Sequence, residues 1–176
     1  SSSTFVDSFS ISSQDNQPID LHFSPDGTKM YFIGAQNDSV YEYTLSSSFD
    51  VSSASYVRSF SISSQEIYPN GLTFSVDGTK MFVCGSQGQD VNEYTLSTAF
   101  NISTASFVDA FSVSSQDTNP KGLSFNSDGT QLFVVGAAGQ DINKYSLTAA
   151  YDVSTASFVS NFSVASQETA PVGIAF

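Results

Sequence analysis

Apolar and polar positions recur along this chain with a period of 51 residues that never slips. Phe5, Tyr56, Phe107 and Phe158 hold one place in it, and Phe23, Phe74, Phe125 and Phe176 another. Pro18, Pro69, Pro120 and Pro171 hold a third, and Asp26-Gly27, Asp77-Gly78 and Asp128-Gly129 a fourth. A long fixed period marks an array in which each repeat is one supersecondary unit that buries its apolar faces against its neighbours.

Within the second repeat, Pro69-Asn70-Gly71 punctuates, and Leu72 to Ser75 alternates apolar and polar as a strand does. Asp77-Gly78-Thr79 predicts a tight turn, because Gly reaches positive φ freely and Asp caps the turn. Lys80 to Cys84 is an apolar run without alternation, as expected of a strand covered on both faces. After a Gly- and amide-rich loop, Val91 to Leu96 predicts a third strand. A polar crossing, Ser97 to Ala105, leads to a fourth strand, Phe107 to Val113. Four antiparallel strands with short loops and no helical spacing predict an all-β fold of β-propeller blades.

The segments Phe23-Ser24-Pro25-Asp26-Gly27-Thr28-Lys29-Met30-Tyr31-Phe32 and Phe74-Ser75-Val76-Asp77-Gly78-Thr79-Lys80-Met81-Phe82-Val83 carry a resemblance. They look like the repeats of the YVTN and WD40-like (TolB-type) propeller families, in which such a segment joins the innermost strand to the second. The resemblance covers nearly the whole chain and implies the fold, but propellers host unrelated activities. The Trp-Asp signature of WD40 proper is absent, and the repeat is longer than usual, with the excess in crossings such as Ser46 to Ala54.

Labelled A to D from the axis outward, residues 1–12 predict a D strand of a preceding blade, with residues 13–63, 64–114 and 115–165 as three complete blades. Residues 166–176 begin a fourth. The chain thus reads as a partial propeller or part of an oligomeric ring. One interpretation is a piece of a longer repeat protein; another is completion of both ends by a second copy. Open apolar faces favour self-association as a homodimer or larger assembly.

Composition narrows the partners. Seventeen acidic residues against five basic ones give a net charge of −12, which disfavours nucleic acid and anionic membranes. The chain has no apolar run of the ~20 residues that cross a bilayer, and no insertion is expected. It begins without Met in a Ser-rich stretch, shows no signal-peptide pattern, and reads as processed or excised. The lone Cys84 aligns with Ile33 and Val135 and is expected in the core. An acidic, Ser/Thr-rich array without cysteine pairs points to an extracellular, cell-surface or virion-surface setting.

The D-to-A loops repeat Gln14-Asp15, Gln65-Glu66, Gln116-Asp117 and Gln167-Glu168 on one rim, and Asp38, Asp90 and Asp141 occupy the B-to-C loops beside them. A ring of oxygens there would suit a hard cation such as Ca²⁺, or sugar hydroxyls. The same residues serve equally to satisfy each loop's backbone. The Asp26, Asp77 and Asp128 series is explained by hairpin chemistry. Glu42 and Glu93 give way to Lys144 and are expected on solvated outer-strand surface; Tyr43, Tyr94 and Tyr145 are expected to pack between blades. His22, the sole histidine, replaces Thr73 and Ser124 on an inner strand, but no G-x-S-x-G elbow accompanies it. The expected function is therefore a non-catalytic module for binding a protein or glycan or for structural display. A lectin-like multivalent glycan binder is one alternative. An enzyme whose site forms only in the complete ring is the other, with His22 as its one visible residue.

Overall fold

The computed structural model describes residues 4–176. It holds three four-stranded antiparallel sheets, each meandering in chain order. Sheet 1 comprises β1 (Pro18–Phe23), β2 (Lys29–Gly34), β3 (Ser39–Leu45) and β4 (Ala54–Ser61). Sheet 2 comprises β5 (Pro69–Phe74), β6 (Lys80–Gly85), β7 (Asp90–Leu96) and β8 (Ala105–Ser112). Sheet 3 comprises β9 (Pro120–Phe125), β10 (Gln131–Gly136), β11 (Asp141–Leu147) and β12 (Ala156–Ser163). This is the all-β, partial-propeller architecture that the period predicts.

The hairpin joining the first two strands of each sheet follows from its residues. Asp26 Oδ1 accepts the Ser24 hydroxyl at 2.6 Å and the Thr28 N–H at 3.0 Å. The Ser24 and Thr28 hydrogen bonds hold its carboxyl below the usual range. Gly27 sits at φ +68, and a methyl there would also overlap the ring of Phe49. That ring arrives from the crossing between β3 and β4, where Phe49 itself takes φ +59. Asp50 then caps a single 3₁₀ turn, Val51–Ser53, by accepting the Ser52 N–H. The same turn recurs at Ile102–Thr104 and Val153–Thr155, inside crossings that the sequence marks only as polar.

Apolar faces meet between sheets. Tyr31, Ile33 and Val40 of sheet 1 pack on Leu72, Phe74, Met81 and Tyr94 of sheet 2. Phe82, Cys84 and Val91 of sheet 2 pack on Leu123, Phe125, Leu132 and Tyr145 of sheet 3. A fully buried ring such as Phe82 contributes roughly 2–3 kcal/mol relative to exposure. The inner strands approach closely: a methyl on Gly71 would lie 3.1 Å from the Gly122 Cα and 2.9 Å from Leu123 Cδ2.

Both chain ends differ from expectation. Residues 5–11 and 173–176 form no ladder, since no other strand of their own sheets lies beside them. They nevertheless occupy the anticipated outer- and inner-strand places. Phe9 meets Tyr43 edge-on at 5.7 Å, as Phe60 meets Tyr94 at 5.7 Å and Phe111 meets Tyr145 at 5.3 Å. The ring of Phe176 lies 4.7 Å from that of Phe133.

Candidate functional site

The rim acids are turned inward. Asp15, Glu66 and Asp117 are 1%, 0% and 2% exposed. Asp15 accepts the Gln17 and Asn37 N–H groups at 2.8 and 3.1 Å. Glu66 accepts those of Tyr68, Gln87 and Gly88, and Asp117 those of Asn119 and Gly139. Each carboxylate thereby ties its D-to-A loop to the neighbouring B-to-C loop. Gln14, Gln65 and Gln116 accept the hydroxyls of Tyr43, Tyr94 and Tyr145 at 2.8, 3.4 and 3.4 Å. Gln167 accepts the Ser166 hydroxyl, and the exposed Glu168 accepts the Ala170 N–H. Each of these groups is engaged within its own blade or its own loop.

The B-to-C acids differ among themselves. Asp38 takes a left-handed conformation at φ 46, as Gln89 and Gln140, one and two periods on, do at φ 53. Its Oδ1 has no hydrogen-bond partner. Burial, then the charges of Glu66 and Asp15, raise its carboxyl. Asp90 and Asp141 instead accept the amides of Asn92 and Asn143 at 2.7 and 2.6 Å. Among the described residues no three His, Cys, Asp or Glu side chains converge as a metal would require.

Glu42 and Glu93 correct the expectation of solvated surface, being 1% and 2% exposed. Lys29 Nζ lies 3.0 Å from Glu42 Oε1, and Lys80 Nζ 2.6 Å from Glu93 Oε1. A charge in a strand reads as surface until the sheet that covers it is known. Cys84 is buried as expected, and burial pushes its thiol far up, which makes it inert.

A different region gathers chemistry. A cavity of about 650 Å³ opens at the A-to-B ends of the inner strands, the opposite end from the rim loops. Asp20 and His22 of β1, Thr73 of β5 and Ser124 of β9 contribute to its wall, with Phe74, Phe125 and Phe176 as apolar lining. Alternation along β1 puts Asp20 and His22 on one face. Asp20 Oδ2 accepts the Leu72 N–H at 2.9 Å, bridging two sheets, and Oδ1 accepts the Leu21 N–H. Burial raises the Asp20 carboxyl against those two bonds. The His22 ring lies 5.2 Å from that of Phe74, and burial lowers its pKa to about 4. The imidazole is therefore neutral near pH 7, a weak base whose protonated form would be a strong proton donor. Asp20 stands where Gly71, Gly122 and Gly173 stand in later repeats, and that column is the signal which singles it out in the sequence.

No protein-family model and no curated protein sequence matches the chain. Solved structures do. A Bacteroides fragilis protein named as a candidate 6-phosphogluconolactonase aligns at 15% identity and TM-score 0.61, over 84% of this chain and 39% of that one. The periplasmic gluconolactonase of Pseudomonas aeruginosa aligns at 17% identity and TM-score 0.56, over 89% and 40%. A luciferin-regenerating enzyme aligns at 21% and 0.53, over 85% and 45%. The chain spans about two-fifths of the length of these structures. At such identities the likeness is one of fold. The names are nevertheless those of enzymes, and they overturn the expectation of a non-catalytic binding or display module and of no enzymatic role. The repeats are not uniform at the cavity: β1 brings Asp20 and His22 to its wall where β5 and β9 carry Gly71, Gly122, Thr73 and Ser124 at the matching positions.

Proposed function

We propose that this chain forms part of the wall of an enzymatic propeller that hydrolyses a small cyclic ester, a lactone of the sugar-acid class, at the axial cavity. The observation that carries this reading is the presence in its wall of Asp20 and His22, a carboxylate and an imidazole where the other repeats carry Gly and Thr, Ser or Ala. In the proposed reaction, neutral His22 takes a proton from water as it adds to the lactone carbonyl. The ring C–O bond then breaks, the His22 imidazolium returns its proton to the departing ring oxygen, and the product is an open hydroxy acid. Thr73 and Ser124, in the same column, supply hydroxyls for a polyhydroxylated substrate. Asp20 is a positioning residue that links β1 to β5 through the Leu72 N–H. The names of the lactonase structures support the substrate class, and that of the periplasmic enzyme an extracytoplasmic setting. The Asp-Gly-Thr hairpin supports a YVTN-type repeat as the finer kinship.

Acid release from glucono-δ-lactone at constant pH tests this reading. The expected result is a rate above spontaneous opening that falls on the order of 100-fold in His22→Ala and is unchanged in Ser97→Ala, in an exposed crossing. A rate no greater than spontaneous opening, or one that His22→Ala leaves intact, would overturn it.

A further inference from the structure

The two internal junctions share a Lys–Glu clamp, to which the first adds Arg58, 3.5 Å from Glu42 Oε2, and the Tyr31 hydroxyl, which donates to the Phe100 carbonyl at 2.6 Å. At the first, Lys29 Nζ donates to the Phe100 carbonyl at 2.6 Å and to Glu42 at 3.0 Å, while Glu42 Oε2 accepts the Ile102 N–H at 3.2 Å. At the second, Lys80 Nζ donates to the Tyr151 carbonyl at 2.8 Å, and Glu93 Oε2 accepts the Val153 N–H at 2.9 Å. Each clamp reaches from the second and third strands of one sheet into the crossing of the next. The matching groups on sheet 1 are the Phe49 carbonyl and the Val51 N–H, and among the described residues no Lys or Glu reaches them. The surrounding face is apolar and open: Phe49 is 58% and Leu21 52% exposed, while the Leu21 counterparts Leu72 and Leu123 are buried.

One place on that face is already filled. Phe9 and Ile11 pack on sheet 1 as an outer strand does, and Gln14 N–H and Asp15 N–H close onto the Ile11 carbonyl. The same turn follows β4, where Gln65 and Glu66 close onto Ile62, and β8, where Gln116 and Asp117 close onto Val113.

We propose that this face of sheet 1 is a docking surface for a three-stranded A–B–C unit of the same repeat, with Lys opening its second strand and Glu in its third. Residues 5–11 serve as its fourth strand. The occupant follows from complementarity, since the Phe49 carbonyl and Val51 N–H match the groups that a Lys donor and a Glu acceptor meet at both internal junctions. Sheet 3 of a second copy does not fit. It carries Gln131 and Lys144 at those positions and so brings no carboxylate, and it already has β12 where residues 5–11 lie.

Two extended chains test the proposal. Residues 64–102, with Lys80 and Glu93, or residues 115–153, with Gln131 and Lys144, are fused in phase ahead of Ser1 of the full chain. The Lys–Glu unit is expected to raise the melting midpoint by about 5 °C or more, and its fused residues to gain protection from amide hydrogen exchange. The Gln–Lys unit is expected to give less than about half that shift, as is Glu93→Gln within the first fusion. No rise together with unprotected fused residues would overturn the docking surface. Equal shifts from both units would overturn its dependence on the Lys–Glu pair.

Discussion

His22 occupies a column otherwise filled by Thr73, Ser124 and Ala175, so its ionisation is an addition to the repeat rather than part of it. Its pKa in the fold, about 4, lies below the ordinary 6.5 because burial disfavours the charged ring. The unfolded chain therefore binds the proton first, and stability falls as pH drops from about 6.5 toward 4, by at most about 3 kcal/mol. Asp20 acts in the opposite sense, since a raised carboxyl favours the fold as pH falls through its own titration. Urea unfolding of wild type and His22→Thr across that range should differ by the histidine's share alone. Parallel curves would mean that the ring is solvated. At Gly71, packing decides instead. A methyl there would lie 3.0 Å from Cys84 Sγ, against both a side chain and a neighbouring backbone. Gly71→Ala is expected to cost about 1–3 kcal/mol, read from denaturant midpoints. The importance of Gly71 and Asp20 is visible in the sequence only when the repeats are stacked, because each is unremarkable alone.

At the scale of elements, the strands were legible because burial leaves a pattern. The unbroken run Lys80 to Cys84 is β6, covered by sheets on both sides, and the Asp-Gly turns precede β2, β6 and β10. Less legible was what lies between sheets. The crossings hide a capped 3₁₀ turn behind Ser-rich sequence, and Glu42 and Glu93 give no local sign that another sheet's N–H awaits them. Their burial makes them consequential. Glu93→Gln leaves Lys80 and the Val153 N–H without their anion, and is expected to destabilise by about 3 kcal/mol. Glu168→Gln, at an exposed loop, should change stability by less than about 0.5 kcal/mol. Equal effects of the two substitutions in thermal melts would show that the clamp contributes nothing.

For the whole molecule, three sheets around one end of an axis enclose only part of a cavity wall, and the site is accordingly the part of the account least visible in the sequence. The rim carboxylates attracted notice because they repeat. Repetition there reflects a structural need common to every loop, namely capping of backbone N–H groups. The cavity residues attracted less notice because they occur once, and their proximity depends on β1, β5 and β9 lying side by side. The wall offers hydroxyls, the amides of Asn126 and Gln131, the Asp20 carboxylate and the His22 imidazole. The most direct test uses the sole histidine: its ring-proton NMR signal is titrated with pH, with and without glucono-δ-lactone's product, gluconate. The account predicts a pKa near 4 in the free protein and a displaced signal when gluconate occupies the cavity. An ordinary pKa near 6.5, unmoved by gluconate, would contradict a buried His22 in a substrate-binding cavity.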